Sequence, residues 1–166
     1  MEPTLMKEAG QRFRILKIVW TAILMSLVLF LFICHFVRIP IELDQSADAA
    51  IEGLVYVFYA LAVAQFFLAH FLRRALLSSK KPASATPSPE AQTVQTRQQI
   101  LAKYSAAVIV SLAIAESIGI LSLVLFFFTG NFQTLYILMV VSAVAIIYHR
   151  PKKEELAGLL PGVRLD

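Results

Sequence analysis

The sequence predicts an all-α polytopic membrane protein with four transmembrane helices, arranged as two hairpins, and with both termini in the cytoplasm. Its composition is the first observation behind this prediction. Of the 166 residues, 58% are hydrophobic and 16% are charged, whereas soluble domains are about 45–50% apolar and about 25% charged. The second observation is that four apolar stretches approach or exceed the roughly 20 residues with which a helix crosses the hydrocarbon core.

The predicted spans follow one another along the chain. They cover residues 15–37, 51–72, 104–128 and 132–149. The first span is longer than the apolar region of a cleavable signal peptide, and bulky Phe36 and Val37 stand where such a peptide has small residues. We therefore expect this span to remain as a permanent helix.

The distribution of basic residues predicts the orientation of these helices. Lysine and arginine concentrate before the first span, between spans two and three, and after the fourth span. The loop after span one is mainly acidic, and the turn 129–131 carries no charge. Because positively charged loops stay in the cytoplasm, we expect a multi-pass protein of the inner (plasma) membrane of a bacterium. The net charge of +4 needs no nucleic-acid partner, since no basic face with interleaved aromatic residues is present.

The segment between the second and third spans predicts a division of the chain into two halves. Residues 78–99, SSKKPASATPSPEAQTVQTRQQ, are rich in Pro, Ser, Ala and Thr, which is typical of a flexible linker. On this basis the domains are a cytoplasmic segment 1–14, a first transmembrane hairpin 15–77, the linker 78–99, a second hairpin 100–149 and a cytoplasmic tail 150–166. Pro151 should stop the fourth helix. The tail sequence HRPKKEELAGLLPGVRLD also predicts a short interfacial turn through Glu155 to Leu160.

The third predicted span carries an acid at its centre. Glu116 lies within AIAESIGILSLVLFFF, residues 113–128. A charged acid at this depth costs roughly 2.5–3.5 kcal/mol on insertion scales. Such residues usually face the bundle interior and often mark ion or proton pathways. The sequence leaves two roles open for Glu116: an ion-binding or proton-binding group, and an interhelical hydrogen bond that packs the bundle.

Small residues beside Glu116 predict close helix packing. They recur every three or four positions and consist of Ala107, Ser111, Ala115, Gly119 and Ser122. We call them the small-residue stripe, which allows another helix to approach the backbone. Gln65 is a strongly polar residue well inside the second span. Because an amide can both donate to and accept from a carboxyl group, we expect Gln65 to contact Glu116.

The third span also resembles a known family. Residues 97–131, RQQILAKYSAAVIVSLAIAESIGILSLVLFFFTGN, resemble the carboxylate-bearing helix of the rotor-ring c subunits of F-type ATP synthases. The run AIAES-x-GI-x-SLV is especially similar to the sodium-binding members. The resemblance implies that Glu116 is an ion-binding carboxylate, that Ser117 is a hydroxyl ligand, and that Gln65 is a further ligand from the preceding helix.

Several features differ from that family. The second span, LVYVFYALAVAQFFLAHFL, lacks the glycine repeat that lets neighbouring rotor subunits pack into a ring. Ile118 and Leu121 stand where the family completes its sodium site with Thr and Tyr. A long linker replaces the compact polar loop, and two helices have no counterpart in a c-subunit hairpin. We therefore expect a distant relative that is not a working rotor subunit, and a proton site in preference to a sodium site.

No sequence motif predicts an enzyme or a cofactor. The chain has no P-loop, H-E-x-x-H, C-x-x-C or G-x-S-x-G pattern. We expect His70 and His149 to extend toward the membrane interface, without a bound metal. The sequence predicts a small integral membrane protein that binds a proton or cation as a subunit of a membrane complex. The alternative is a non-catalytic scaffold or assembly protein. Expected partners are the lipid bilayer and other membrane subunits or a second copy, with no nucleic acid.

Overall fold

The computed structural model describes residues 2–37, 48–78 and 89–159, and the side chains of residues 10–37, 51–78 and 98–156. Within these residues the chain is almost entirely helical and contains no β-strand. The helices are α1 (Glu2–Phe36), α2 (Asp48–Ser78), α3 (Pro89–Thr129), α4 (Phe132–Tyr148) and α5 (Lys153–Leu159).

The helix lengths agree with a membrane-embedded bundle. Three helices contain apolar segments long enough to cross a membrane, Gly10–Phe36, Ile51–Ser78 and Gln98–Thr129. The 17 residues of α4 give a length of about 26 Å at 1.5 Å per residue, slightly less than the hydrocarbon thickness of about 30 Å. The predicted all-α class with helices of membrane-spanning length is confirmed, with α4 as the shortest of the four apolar helices.

Helix α3 is the centre of the bundle. It packs against α1, α2, α4 and α5. Of the most apolar part of α3, 44% is buried, whereas the corresponding parts of α1 and α2 are each 11% buried. Both α1 and α2 make their main contacts with α3. Helix α3 therefore packs against helices of both predicted hairpins.

Contacts between side chains show that the helices alternate in direction. Along α1, Trp20 bonds to Ile146 near the end of α4, and His35 packs near Phe132 at the beginning of α4. Helix α2 reaches His149 with Arg73, five residues before its C-terminus. The part of α1 around Trp20 and the C-terminal parts of α2 and α4 thus meet at one end of the bundle. We call this the basic end, because Lys17, Arg73 and Arg150 lie there.

A tight turn joins α3 to α4 at the opposite end. Gly130 has a φ of 62°, a left-handed conformation that glycine adopts without steric cost. Asn131 then caps α4, because its Oδ1 accepts hydrogen bonds from the backbone N–H groups of Gln133 and Thr134 at 2.9 and 3.3 Å. The short turn makes α3 and α4 antiparallel neighbours.

The helices extend beyond the predicted segment boundaries. Helix α1 begins at Glu2, inside the predicted N-terminal segment. Helix α3 begins at Pro89, so residues 89–99 of the predicted linker are helical. Proline is favoured at the first helical position, and no further proline or glycine follows it in this stretch. The rest of the predicted linker, 79–88, lies outside the described residues, as do residues 38–47 and 160–166.

The sequence prediction for the end of α4 is confirmed. Helix α4 ends at Tyr148, three residues before Pro151. The short helix α5 lies in the tail, where a short turn was expected. His149 serves as the C-cap, and its backbone N–H donates to Ala145 O at 3.0 Å. The chain then turns back toward the bundle, which brings α5 against α3.

Candidate functional site

The acid in the third span has a hydrogen-bond partner on α1. Ser26 Oγ lies 2.7 Å from Glu116 Oε1 and also 2.7 Å from the backbone oxygen of Ile23. A hydroxyl has one proton to donate and two lone pairs that accept. Ser26 can therefore donate to an ionised Glu116. A neutral Glu116 can instead donate to Ser26 Oγ while Ser26 donates to Ile23 O. Both protonation states of the carboxyl are compatible with these distances.

A close approach of α1 to α3 brings the two side chains together. A Cβ atom added to Gly119 would clash with Leu27 Cδ2 and would lie 3.2 Å from Ser142 Oγ. Gly119 is one turn beyond Glu116, and Leu27 follows Ser26 directly. The absence of a side chain at Gly119 therefore positions Ser26 within hydrogen-bond distance of Glu116.

The predicted packing role of the small-residue stripe is confirmed. All five of its members are buried. From α4, Ser142 Oγ donates a 2.7 Å hydrogen bond to the backbone oxygen of Ala115. The stripe thus contacts α4 through Ser142 and α1 through Leu27, and Glu116 lies at the edge of this three-helix contact.

The structure does not bring the other predicted site residues to Glu116. Ser117 Oγ donates to Ile114 O of its own helix at 2.7 Å. Gln65 Oε1 is buried and has no hydrogen-bond partner among the described residues, so the predicted contact between Gln65 and Glu116 is not formed. Among the expected ligands, only the carboxyl of Glu116 itself is at the site.

Ser26 was not anticipated as a site residue, although the sequence contains a signal for it. Ser26 is the midpoint of the first predicted span, and Glu116 is the midpoint of the third. Two polar residues at the same depth can meet if their helices are neighbours. Comparing the depths of all polar residues in the spans, hydroxyls included, would have favoured this pair.

A second polar cluster lies at the basic end. His149 is fully buried, and neither of its ring nitrogens has a hydrogen-bond partner among the described residues. Arg73 donates from Nη1 to the backbone oxygen of His149 at 2.8 Å and forms an ion pair with Glu155. The expectation that His149 extends to the interface is wrong, because the chain after α4 folds back and its ion pair with α2 encloses the ring.

The surroundings of His149 keep its ring neutral. The predicted fourth span ended at residue 149, but helix α4 ends at Tyr148, and His149 lies in the chain that follows it. Burial of the ring lowers its pKa to about 4, and the positive charges of Arg73, His70 and Lys152 act in the same direction. At neutral pH the imidazole therefore carries no charge.

Two further hydrogen-bonding side chains fix the basic end. Tyr104 OH donates to Lys152 O and accepts from Lys152 N, both at 3.0 Å. Trp20 Nε1 donates to Ile146 O at 3.0 Å, which connects α1 to the last turn of α4. The chain after α4 is thus held against α1, α2 and α3.

The described side chains contain no group of three or more His, Cys, Asp or Glu residues that could hold a metal ion. Hard cations bind several oxygen ligands at once. In this part of the chain, Ser26 is the side chain bonded to Glu116. Two oxygens are fewer than the ligands that a Ca²⁺ or Mg²⁺ site requires.

Comparison of the chain with protein-family models, characterised proteins and solved structures gives no match. The resemblance to rotor-ring c subunits therefore stays a prediction. The function has to be argued from the side chains around Glu116.

Proposed function

We propose that this protein is a small multi-pass membrane protein that binds a proton at Glu116, with Ser26 as the hydrogen-bond partner, and that it works as a subunit of a larger membrane complex. The observation that carries this proposal is the pair of 2.7 Å contacts made by Ser26 Oγ. Because the hydroxyl can donate either to Glu116 or to Ile23 O, the hydrogen bond survives when the carboxyl gains or loses a proton.

Partial exposure of Glu116 supports proton exchange at this position. The side chain of Glu116 is half-buried, so part of it reaches the surface of the bundle. A charged carboxyl exposed to lipid at this depth is costly. The proton removes that charge, and a helix of another subunit or of a second copy could cover the remaining polar surface. This argument supports both the proton and the membrane complex.

A second candidate function is a membrane scaffold in which Glu116 only packs helices. The close approach of Leu27 to Gly119 beside the Ser26–Glu116 hydrogen bond favours it. In that case the carboxyl could be neutral at all times, and an amide would serve as well. Glu116→Gln, which keeps hydrogen bonding but cannot ionise, separates the two functions. If Glu116 only packs helices, the function of the complex is retained in this variant. If Glu116 works by binding a proton, the function is lost although the complex still assembles.

Carbodiimide labelling tests the proposed proton site. The reagent modifies a protonated carboxyl in an apolar environment. We expect labelling of Glu116 in the lipid-reconstituted protein to fall as the pH rises, to be absent in Glu116→Gln, and to be unaffected by sodium. Protection by sodium would instead indicate a sodium site. Absence of labelling at every pH would contradict the proposal and favour the scaffold.

A further inference from the structure

We propose that a cleft at the basic end binds the phosphate group of an anionic lipid. The cleft has a volume of about 420 Å³ and lies between residues 13–21 of α1 and the chain that follows α4. The residues that give it its character are Lys17, Trp20, Arg150, Lys152, Lys153 and Glu154. This proposal is independent of the proton site at Glu116.

Charge is the first argument for a phosphate ligand. Among the residues whose side chains the structure describes, four cations line the cleft together with one carboxylate, that of Glu154. The neighbouring acid, Glu155, is held by Arg73. Arginine and lysine are the side chains that recognise phosphate, and arginine can form two parallel hydrogen bonds with it. The excess of positive charge therefore favours an anionic group in this cleft.

The depth of the cleft matches that of the lipid headgroups. Lys17 precedes Ser26 by nine helical residues, or about 14 Å. Helix α4 ends at Tyr148, six residues or about 9 Å beyond Ser142, and Arg150 follows two residues later. Ser26 and Ser142 both contact α3 near Glu116, the midpoint of the predicted third span. Half of a hydrocarbon core of about 30 Å is about 15 Å. If Glu116 lies at mid-membrane, the cleft opens at the boundary between acyl chains and headgroups.

An apolar surface beside the cleft suits an acyl chain. Thr21 lines the cleft, and the same face of α1 continues through Met25 and Val28, which are 61% and 58% exposed. Trp20 contributes its ring, while its N–H is already bonded to Ile146 O. A lipid bound by its phosphate could therefore lay its chain along α1. Free phosphate would contact only the cationic side chains of the cleft. The apolar surface beside them therefore favours a lipid as the ligand.

The walls of the cleft are fixed before any ligand binds. Tyr104 holds the backbone of Lys152 by two hydrogen bonds, and Trp20 holds the last turn of α4. A preorganised site loses less conformational entropy on binding than a flexible one. The cleft thus has the charge, the depth and the rigidity of a specific lipid site.

The single tryptophan of the chain, Trp20, allows direct measurement. The full-length protein is reconstituted in phosphatidylcholine vesicles that contain a small fraction of phosphatidylglycerol with brominated acyl chains. The reference vesicles carry brominated phosphatidylcholine instead. We expect the quenching of Trp20 fluorescence to report a local concentration of phosphatidylglycerol at least about threefold above that of brominated phosphatidylcholine in the reference vesicles.

Matched charge variants distinguish the cleft from general surface charge. Arg150→Gln/Lys152→Gln removes two cleft cations, and Arg14→Gln/Arg74→Gln removes two exposed cations outside it. We expect the lipid preference to fall to near unity in the first variant and to remain in the second. An equal loss in both variants, or no preference in the unmodified protein, would overturn the proposal.

The source of the phosphate is tested in the same vesicles. Inorganic phosphate is added at constant ionic strength, with chloride as the control salt. An unchanged preference for phosphatidylglycerol supports a lipid site. If inorganic phosphate abolishes the preference and chloride does not, the lipid assignment is overturned, and the cleft is a site for soluble phosphate.

Discussion

Glu116 and Ser26 connect two helices through a hydrogen bond at the centre of the bundle. Hydrogen bonds between transmembrane helices contribute about 0.6 to 2 kcal/mol, which is less than the cost of inserting a charged acid. Packing alone therefore does not offset an ionised Glu116. A neutral Glu116 that donates to Ser26 Oγ, with Ser26 donating to Ile23 O, satisfies all three groups and requires no buried charge.

A double-mutant cycle measures this connection. We expect Ser26→Ala and Glu116→Ala to couple by about 0.6–2 kcal/mol in the free energy of unfolding in detergent. Ser117→Ala is the matched control, because Ser117 bonds within its own helix, and it should show no coupling to Glu116→Ala. Equal coupling of both serines to Glu116 would mean that the cycle reports general perturbation of α3, and not this hydrogen bond.

His149 makes stability depend on pH. Its pKa is about 4 in the folded protein and about 6.5 when exposed, so the unfolded chain binds more protons between these values. Stability is therefore full above about pH 6.5 and falls as the pH decreases toward 4, by about 3 kcal/mol in total. Thermal unfolding in detergent at a series of pH values measures this dependence.

Two histidine variants assign the pH effect to its residue. His149→Phe should reduce the pH dependence, because the buried ring no longer takes up a proton on unfolding. His35→Phe is the control, since His35 is exposed at the opposite end of the bundle. A pH profile that is the same in His149→Phe as in the unmodified protein would show that other groups cause it.

At the scale of the helices, the close packing of α1 on α3 depends on Gly119. Gly119→Val places a Cβ atom against Leu27 and Ser142, and overpacking of this kind costs about 1–3 kcal/mol. Gly53→Val is the matched control, because a side chain added to Gly53 meets nothing within 4 Å. Thermal unfolding should show a lower Tm for Gly119→Val than for Gly53→Val. Equal Tm values would exclude a tight α1–α3 contact at Gly119.

The small-residue stripe and the mid-span acid were predictable because they depend on the spacing of residues within one helix. The partner of Glu116 depends on how α1 and α2 are placed against α3. Here Ser26 of α1 forms the hydrogen bond to Glu116 that was predicted for Gln65 of α2. Burial of His149 likewise depends on the path of the chain after α4, which residue periodicity does not determine.

At the scale of the whole molecule, the contacts establish an alternating bundle, and the basic residues predict which end faces the cytoplasm. Cysteine labelling tests this orientation, since the native Cys34 is fully buried. Gln133→Cys and Arg74→Cys place thiols at exposed positions at opposite ends. In intact cells, an impermeant maleimide should label Gln133→Cys, and it should label Arg74→Cys only after permeabilisation. The reverse pattern would invert the predicted topology.

The proposed membrane complex depends on the surfaces that the bundle exposes to lipid or to other subunits. Large apolar surfaces of α1 and α2 are exposed, as is expected of helices that face lipid or other subunits. A half-buried Glu116 on the central helix gives such a subunit a specific place to contact. Crosslinking in native membranes, with the crosslinker positioned next to Glu116 at the exposed Ala113, should trap a partner or a second copy. Crosslinking to lipid alone would contradict a complex at this surface.

Infrared spectroscopy of the reconstituted protein is the most direct test of proton binding at Glu116. The carbonyl stretch of a protonated carboxyl group is recorded from about pH 5 to pH 9, a range in which an unperturbed glutamate is largely ionised. We expect a carbonyl band that weakens as the pH rises and that is absent in Glu116→Gln. In Ser26→Ala the frequency of this band should shift. A spectrum of Glu116→Gln identical to that of the unmodified protein at every pH would contradict proton binding at Glu116.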